Sequence, residues 1–488
     1  MTNAAIDIVW LKRDLRLRDH QPLIEAAKSQ NPVLLVYLFE PELLKDPHFS
    51  ARHWQFVIDS ITNLNAQLRP MSTQVWLGFD SAVSVFDYLH KRFTIRSLFS
   101  HMETGLMNTY TRDRAIAQWC ERHSVKWQEY AQSAVIRGLT HRHDWQKQWQ
   151  AFYHQPCSDI PLDTINWQYI SQPEPMTHPL PLSQLQRQPG GEQRAWSVLK
   201  SFFKTRYTRY HTDISYPEAA RRSCSRLSPY IAFGNISTRQ IYQYVKTISG
   251  RNPDHKLAIN AFSERIAWHD HFVQKFESEH AMQWRSVNKG YSDFAYEDGP
   301  VAQWLFEKWR NGETGFPLVD ACMCALNITG YLNFRMRAMI VSFACHWLNL
   351  DWRRVAEYLA GQFLDFEPGI HYPQIQMQAG ITGTNTIRLY NPVKQSKVLD
   401  SDGQFIKKWI PALMHVPGAY IHTPWNIPAL ILTMENIHIP ERYRQPIIDM
   451  DARGPMIRNT LWAYRKRPEV IEESARIINR HSLPKDKH

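Results

Sequence analysis

The first 130 residues alternate short apolar runs with amphipathic stretches, and this alternation constrains the fold more than any other feature. The apolar runs predict buried strands at Ile6–Leu11, Val33–Phe39, Thr73–Leu77, Ile95–Ser100 and Val125–Glu129. Between them, apolar residues at three- and four-residue spacing predict helices at Ala51–Leu68, Ser81–Lys91 and Tyr110–Arg122. Strands that alternate with helices in this way form a parallel, doubly wound sheet.

The character of the sequence changes after this segment. The stretch SQPEPMTHPLPLSQLQRQPGG is rich in Pro, Ser and Gln and has no sustained period, which is typical of a connector between domains. Beyond Gly191 the spacing predicts helices at Gln193–Arg206, Thr238–Ile248, Leu257–Glu277, Val301–Asn311, Tyr331–Trp347, Trp352–Leu364 and Arg458–Arg465. We therefore predict an α/β domain over 1–132, a connector over 133–191 and a large all-α domain over 192–488.

Charge and cysteine content narrow the classes of function. Lys+Arg 57 against Asp+Glu 46 gives a formal charge of +11. This surplus suits a polyanionic partner, because neutralising phosphates releases counterions, although a basic soluble protein without such a partner fits the charge equally well. The six cysteines lack CxxC spacing, so we expect no disulfide framework, zinc ribbon or four-cysteine iron–sulfur site. The charged N-terminus and the lack of a long apolar run predict a cytoplasmic protein that crosses no membrane.

One segment of the helical half has the chemistry of a phosphate site. The first strand–helix turn, LKRDLRLRDH, has no GxGxxG fingerprint, and the chain has no Walker loop. In the helical half, SCSRLSP precedes the apolar stretch YIAFGNI, with Ser228 as the predicted N-cap and Pro229 as the first helical residue. A helix N-terminus with hydroxyls, backbone N–H groups and an Arg can hold a phosphate. An ordinary capped helix is the alternative.

This segment and several others resemble the photolyase/cryptochrome family along nearly the whole chain. The opening VWLKRDLRLRDHQPL is similar to that family's first strand and turn, and SRLSPYIAFGNIS to its diphosphate loop. The segments WRNGETGFPLVDACMCALNITGYLNFRMR and NLDWRRVAEYLAGQFLDFEPG resemble its flavin-binding helices. The segment RLYNPVKQSKVLDSDGQFIKKWIPAL resembles its C-terminal signature. The resemblance implies FAD, folded into a U inside the helical domain.

The resemblance also assigns the flavin contacts. It places the buried Arg337–Asp365 pair beside the isoalloxazine and Glu367 where the family often has a second Asp. It places His371 opposite flavin N5, where repair enzymes carry Asn; a His there is expected to titrate near neutral pH and control flavin protonation, with a plain hydrogen-bonding role as the alternative. The residues assigned to the cofactor are Tyr210, Cys224, Ser225, Arg226, Leu227, Ser228, Phe262, Arg265, Arg337, Asp365, Glu367 and His371.

The family's chain of three Trp residues is incomplete here. Trp352 holds the middle position and Trp309 the outer one, but Ile375 stands at the proximal position and cannot carry a hole. Another aromatic residue must replace it, or this route is weak and the two indoles are only core residues. The candidates for the replacement are Tyr331, Tyr372 and Tyr390.

The lesion contacts depart further from the repair pattern. The resemblance assigns Trp268, Tyr331 and Arg335 to DNA, with Trp268 as the stacking indole. Arg265 replaces the carboxylate that binds the pyrimidine pair of a cyclobutane dimer, and Tyr331 itself replaces a Trp. Other positions change too: Phe334 for Asn, Ala338 for Met and Met377 for a second stacking Trp. This cavity cannot make the usual hydrogen bonds to a cyclobutane dimer.

These features lead to one preferred function and two alternatives. We predict a monomeric lyase that uses light and FAD to repair pyrimidine photoproducts in UV-damaged DNA, with Trp268, Trp309, Trp352 and His371 as the catalytic set. A cryptochrome-like photoreceptor is the main alternative, and a dark flavin electron-transfer protein is the weaker one because no NAD fingerprint is present. An antenna chromophore of unknown identity is implied near Asn108, beside which Thr109 replaces an acidic contact.

Other motifs give no support for a metal site or for hydrolase activity. His269 and His271 lie two residues apart on a helix and diverge, so we expect them to share no metal. The HRHD run at 141–144 has no carboxylate or thiol at ligand spacing and predicts a solvated loop. The chain has no Gly-framed serine elbow, so nothing supports a hydrolase. We therefore predict no metal site.

Overall fold

The computed structural model describes residues 4–172, 186–251 and 253–483. Its sheet has five parallel strands in the order β3-β2-β1-β4-β5. The strands are β1 Ala5–Leu11, β2 Val33–Leu38, β3 Trp76–Gly78, β4 Thr94–His101 and β5 Lys126–Tyr130. The predicted α/β domain with a doubly wound parallel sheet is confirmed.

Helices cover both faces of the sheet. In β1, Val9 packs into a core with α3, whereas Ile8 and Trp10 pack into a second core with α4 and α5. Because both faces are buried, the central strands are continuous apolar runs rather than alternating ones. The helices in this part of the chain are α1 Gln21–Lys28, α2 Pro41–Leu44, α3 Ala51–Leu68, α4 Ala82–His90, α5 Met107–Arg122 and α6 Trp145–His154.

The rest of the described chain is helical, as predicted. The helices are α7 Glu192–Lys204, α8 Tyr210–Asp213, α9 Pro217–Ser223, α10 Ser228–Ala232, α11 Thr238–Arg251, α12 Lys256–Ser278, α13 Gly299–Asn311, α14 Pro317–Thr329, α15 Phe334–Ser342, α16 Trp352–Gln362, α17 Pro368–Gln378, α18 Pro392–Leu399, α19 Gln404–Trp409, α20 Ala429–Met434, α21 Met450–Arg465 and α22 Pro468–His481. Among the residues that the structure describes, no helix is long and apolar enough to cross a membrane.

Two helices differ from their predicted bounds for clear reasons. The apolar stretch after Pro229 forms only the short α10, because the chain turns at Gly234, whose φ is 67°. A Cβ at Gly234 would lie 2.1 Å from the carbonyl oxygen of Arg13, so only glycine fits there. The helix predicted over Tyr331–Trp347 begins at Phe334 and continues as a π-helix over Phe343–Trp347.

The longest helix of the chain, α12, packs against α17 at unusually close range. A Cβ at Gly369 of α17 would lie 2.7 Å from the Cα of Val273, so the two backbones approach closely only because this residue is a glycine. The side chains on either side of this contact point into one cavity. The contact therefore sets the distance between two walls of the candidate site.

The predicted connector is partly outside the described residues. Residues 173–185 of the Pro-rich stretch belong to that part, and α6 forms within the range 133–191. The predicted boundaries at 132 and 191 stay predictions.

Candidate functional site

A cavity of about 810 Å³ lies between α12, α15, α17 and the loop before α10. Its volume is within the range of about 300–1,000 Å³ in which small-molecule and cofactor sites fall. The residues predicted to contact the cofactor all line it: Tyr210, Cys224, Ser225, Arg226, Leu227, Ser228, Phe262, Arg265, Arg337, Asp365, Glu367 and His371. The structure thus brings together positions spread over more than 150 residues of sequence.

The loop Ser225–Ser228 forms one end of this cavity. Arg226 has a left-handed backbone, with φ 63°, and its guanidinium lies 3.5 Å from the centroid of the Tyr331 ring. Ser228 is not the N-cap: Leu227 occupies that position, and the Ser228 side chain hydrogen-bonds Asp365 instead. The loop therefore offers hydroxyl groups and a guanidinium to a ligand, but only a five-residue helix lies behind it.

Arg337 and Asp365 form a two-pronged ion pair in the cavity wall. Nη1 lies 3.0 Å from Oδ1 and Nη2 lies 2.8 Å from Oδ2, while Nε donates to the carbonyl oxygen of Leu332. Burial alone would raise the pKa of Asp365, but the Arg337 charge and its hydrogen bonds hold that pKa below its ordinary value. The pair is therefore ionised at neutral pH, and Arg337 supplies a fixed positive charge to the cavity.

A second charged pair lies beside it, between His269 and Glu367. His269 Nε2 lies 2.9 Å from Glu367 Oε2, and His269 Nδ1 lies 3.1 Å from Asp270 Oδ1. Burial would lower the pKa of His269, but the two carboxylates raise it to about 10. His269 is thus an imidazolium at neutral pH. His271 turns the other way and hydrogen-bonds Arg142, so the two histidines share no ligand.

His371 has the opposite protonation state. Burial lowers its pKa to about 3, and its Nε2 donates to the carbonyl oxygen of Ala356 at 2.8 Å. This corrects the expectation that the group titrates near neutral pH. The ring is neutral, and Nδ1 carries no proton when Nε2 donates, so His371 offers the cavity a hydrogen-bond acceptor.

Several buried polar atoms in the cavity wall lack partners among the described residues. Both side-chain amide atoms of Gln378 are unpaired, as are Asn333 Oδ1 and Gln374 Oε1. Gln378 is 3% exposed and Asn333 4%, so water at the protein surface does not satisfy them. Buried polar atoms without partners are rare in folded proteins, because each costs about 1–3 kcal/mol. These atoms fit a polar ligand in the cavity.

Two family models match the chain. The model of DNA photolyase matches residues 7–158, and the model of the FAD-binding domain of DNA photolyase matches residues 262–463. The chain belongs to the photolyase/cryptochrome family. Its FAD-binding domain contains most of the cavity described above, and the hydroxyl groups, the Arg337 charge and the unpaired amides fit a flavin nucleotide.

Individual family members match over most of their length. The deoxyribodipyrimidine photo-lyase of Vibrio cholerae is 26% identical over 87% of this chain and 94% of that protein. The cryptochrome DASH of Synechocystis is also 26% identical, over 91% of this chain and 95% of that protein. The crystal structure of a class III photolyase from Agrobacterium tumefaciens covers 96% of this chain and 99% of that one, with a TM-score of 0.84 and 21% identity. The family thus includes both repair enzymes and cryptochromes.

The residues predicted to contact DNA lie in three different places. Trp268 is 50% exposed at the cavity, near the exposed Phe334, whose ring centroid lies 5.8 Å from Arg265. Tyr331 is buried against Arg226 and the phosphate loop, a position that suits a cofactor contact better than a DNA contact. Arg335 does not line the cavity and hydrogen-bonds the hydroxyl of Tyr390 at 3.4 Å. The exposed Arg388, which the sequence analysis missed, lines it instead.

The two retained Trp residues of the electron path, Trp309 and Trp352, are fully buried. Trp352 lies 6.5 Å from the ring of Tyr372, which in turn lies 5.6 Å from the ring of His371 in the cavity wall. Ile375 lines the cavity and leaves the proximal position without an aromatic ring. Of the tyrosines considered in its place, Tyr372 thus connects the cavity with Trp352.

Tyr372 has a proton acceptor at its hydroxyl group. The hydroxyl lies 2.5 Å from His48 Nε2, and His48 Nδ1 lies 2.6 Å from Asp46 Oδ1. A proton on Nδ1 that is donated to Asp46 leaves Nε2 as the acceptor for Tyr372. Asp46 also accepts from Asn108 at 2.7 Å, so the predicted antenna residue belongs to this network.

A smaller cavity of about 60 Å³ lies in the α/β part, with Thr109 in its wall. Arg112 closes it through ion pairs of 2.8 Å to Glu40 and 2.7 Å to Glu103. A chromophore in this cavity requires these side chains to move.

Sequence reasoning also missed a buried cluster with the residue types of a metal site. Asp14, His20 and His101 have ligand atoms within 4.8 Å of one another. His20 and His101 both contact Asp14 Oδ2, at 3.0 and 2.6 Å, and burial lowers the pKa of His101 to about 3. Hydrogen bonds from the two imidazoles to one carboxylate account for this geometry. The three residues have no motif spacing in the sequence that would reveal the cluster.

Proposed function

We propose that the chain is a light-driven, FAD-dependent photolyase that repairs pyrimidine photoproducts in DNA. The observation that carries the proposal is Trp268, a half-exposed indole at the cavity that contains the cofactor residues. Single exposed aromatic rings are common on protein surfaces, but this one lines the cavity of the predicted cofactor residues, and an indole face stacks on nucleobases. A damaged base must leave the helical stack to reach such a cavity.

Different side chains of the cavity would bind the cofactor and hold the cavity walls. When reduced FAD is bound and excited by light, it would supply the electron that splits the photoproduct. Arg337 would stabilise negative charge on the cofactor, while the Arg337–Asp365 and His269–Glu367 pairs hold the walls in place. Nδ1 of His371 would accept a hydrogen bond from a ligand N–H group. The loop Ser225–Ser228 would hold the diphosphate.

The lesion side of the cavity favours hydrogen-bond donors. Arg265 stands where a carboxylate would bind the pyrimidine pair of a cyclobutane dimer, and Arg388 adds a second guanidinium. Guanidinium groups donate to carbonyl oxygens and phosphates but accept nothing. The proposed substrate is therefore a photoproduct that presents acceptors at this position.

We also propose that Tyr372 replaces the missing proximal Trp. The contacts of Tyr372 with His371 and Trp352 make a continuous aromatic path from the cavity to the buried indole. On oxidation, Tyr372 would lose one electron toward the cavity and pass its phenolic proton to His48 Nε2. Trp352 would then donate an electron to the Tyr372 radical while His48 returns the proton to the phenolic oxygen, so that Tyr372 is restored and the oxidised site is Trp352.

A cryptochrome-like photoreceptor is the second candidate. The altered lesion contacts favour it, above all Arg265 in place of an acid and Met377 in place of a second stacking indole. The matched relatives include cryptochromes as well as photolyases. In that case the light reaction would involve Tyr372 and Trp352 in the same way, and DNA damage would not change binding.

Binding and repair of defined lesions distinguish the two candidates. We expect the wild type to bind UV-damaged DNA more tightly than undamaged DNA, with an affinity that falls as salt rises. Trp268→Ala is expected to lose about 1–3 kcal/mol of binding to damaged DNA, the usual contribution of one base–aromatic stack. The matched control is Trp304→Ala, which removes an indole of similar exposure, 47%, from α13.

The repair assay uses cyclobutane and (6-4) lesions in single and double strands under blue light. Light-dependent repair of either lesion, reduced in Trp268→Ala and unchanged in Trp304→Ala, supports a photolyase. Equal affinity for damaged and undamaged DNA together with no repair would refute the photolyase proposal and favour the photoreceptor.

A further inference from the structure

Beyond Trp268, the same face of α12 continues into a second part of the cavity. His271, Phe272 and Lys275 follow Trp268 at spacings of three, four and seven residues, and all of them line the cavity. Residues at these spacings lie on one face of a helix. At 1.5 Å per residue, Lys275 lies about 10 Å along the helix axis from Trp268.

Lys275 lines this part of the cavity, and Arg142, which is outside its lining, contacts the lining residue His271; neither forms an ion pair with a carboxylate among the described residues. Lys275 is 8% exposed and Arg142 only 1%. Among the residues that the structure describes, Lys275 has no hydrogen bond or ion pair. Within the described part of the chain, the guanidinium of Arg142 contacts the ring and the carbonyl oxygen of His271, at 3.5 and 3.2 Å, and lies over the Trp145 ring. A buried charge without a partner costs several kcal/mol, so a protein keeps one only for a reason.

Glu279, the carboxylate whose charge acts on Lys275, already binds three other side chains. Oε1 of Glu279 accepts from Arg476 at 2.5 Å, from Arg480 at 3.2 Å and from His481 at 3.4 Å. His481 lines the cavity, is 4% exposed, and its Nδ1 has no partner among the described residues. Glu279 is therefore occupied by partners of its own and forms no hydrogen bond or ion pair with Lys275 among the described residues.

The pKa values of His271 and Lys275 show the same excess of positive charge. Burial, together with the neighbouring groups Arg142, Lys275 and His481, lowers the pKa of His271 to about 3. Burial lowers the pKa of Lys275 to about 8, with Arg142 and Arg476 acting in the same direction and Glu279 opposing them. A bound anion would relieve both effects.

We propose that Lys275, supported by the nearby charge of Arg142, forms a phosphate-binding subsite, which takes a backbone phosphate of the DNA strand whose base stacks on Trp268. The proposal rests on the proposed function and deepens it, because it assigns the path of the strand. The separation of about 10 Å corresponds to about three nucleotides at the rise of about 3.4 Å per nucleotide of one strand. A free phosphate or a small phosphate ester has the same chemistry, and the experiment separates the two sources.

The test is a thermodynamic cycle that combines protein variants with DNA strands in which one phosphate is made neutral. A short oligothymidylate with one uncharged methylphosphonate linkage, moved along the strand position by position, is titrated against wild type, Lys275→Met and Lys275→Arg. The control is Lys126→Met, which removes an exposed lysine from the α/β part. In the wild type, we expect one linkage to lower the affinity about ten-fold when it is neutralised, because a hydrogen bond to a charged group contributes about 1.5–3 kcal/mol.

The variants are expected to respond differently to that linkage. Lys275→Met should lose the same affinity for the fully charged strand, show no further loss at the sensitive linkage, and reduce the slope of log K against log salt by about 0.7. Lys275→Arg should retain the affinity. It should also retain it above pH 8, where the wild type weakens as Lys275 loses its proton. Lys126→Met should match the wild type throughout.

Titration with inorganic phosphate distinguishes a DNA strand from a small anion as the source of the bound phosphate. Coupling at one linkage identifies the strand as the ligand, whereas phosphate binding that disappears in Lys275→Met without coupling at any linkage identifies a small anion. Absence of both would overturn the subsite. The oligothymidylate is undamaged, so this result is independent of whether the protein prefers lesions. Misfolding is excluded by the melting temperature, which we expect to stay equal or rise in Lys275→Met because an unpaired buried charge is removed.

Discussion

At the scale of single residues, the proposed electron path uses the phenol of Tyr372 in place of an indole, and a phenol needs a proton acceptor. Oxidised tyrosine is a strong acid, so electron loss is easy only if the proton leaves with it, here to His48 Nε2. Tyr372→Phe is therefore expected to slow the light-driven reduction of bound FAD at least about ten-fold, and His48→Gln is expected to slow it less. The measurements are the flavin absorbance under blue light and the tyrosyl radical signal in electron paramagnetic resonance.

Tyr390→Phe is the control, because Tyr390 contacts Arg335 and does not line the cavity. The wild-type rate should fall in D₂O, and this isotope effect should vanish in Tyr372→Phe. An unchanged rate in Tyr372→Phe would show that electrons take another route.

The role of a residue could be predicted only where the residue belongs to a recognisable motif. The Arg337–Asp365 pair follows from the resemblance, and the structure joins the two groups. The charge of His269 could not be predicted, because the carboxylate of Glu367 lies 98 residues further along the chain. For His371 the prediction was wrong in the other direction. A histidine is expected to titrate near neutral pH, but burial lowers the pKa of this one and keeps it neutral, and the sequence does not reveal that burial.

At the scale of elements, the contact between α12 and α17 sets the width of the cavity. Gly369→Ala would place a methyl group 2.7 Å from the Cα of Val273, so the helices must separate. Overpacking of this kind costs about 1–3 kcal/mol of the free energy of unfolding. We expect a lower melting temperature and weaker retention of FAD, measured by thermal denaturation and by flavin released on gel filtration.

The control for this variant is Gly418→Ala, because a Cβ at Gly418 meets nothing within 4 Å. It should leave both quantities unchanged. A Gly369→Ala protein with wild-type stability would show that the two helices can adjust without cost.

Elements were predictable where one period dominates, but their ends were not predictable where a contact with a distant segment sets them. The predicted helix Ala51–Leu68 is confirmed to the residue, because its apolar face is regular over five turns. The helix after Pro229 is shorter than predicted because Gly234 must fit against the backbone of Arg13, a contact between distant segments. Likewise, nothing in the local sequence predicts the π-helix over Phe343–Trp347.

At the scale of the whole molecule, the α/β part and the helical part are joined by buried polar contacts rather than by an apolar seam alone. Arg13 donates to the carbonyl oxygens of Ala232 and Phe366, at 2.9 and 2.7 Å. Arg52 donates to those of Leu326, Asn327 and Gln362 in the same way, at 3.1, 2.7 and 2.8 Å. Phe363, Asp365 and Glu367 line the cavity and are the chain neighbours of the acceptors Gln362 and Phe366, so the geometry of the site depends on these contacts.

The junction also contains a buried ion pair whose effect depends on pH. Asp19 accepts from Ser237 and Arg239; burial would raise its pKa, but these partners hold it below its ordinary value. The stability that it contributes is therefore present above pH 4 and is lost as the pH falls through the lowered pKa.

Asp19→Asn keeps the left-handed backbone, which Asn tolerates, and should lower the free energy of unfolding at pH 7 by about 3–5 kcal/mol. Urea denaturation from pH 7 to pH 3 should show this difference shrinking, whereas Asp80→Asn, at an exposed position, should follow the wild type. A difference that stays constant with pH would mean that the Asp19 charge does not hold the two parts together.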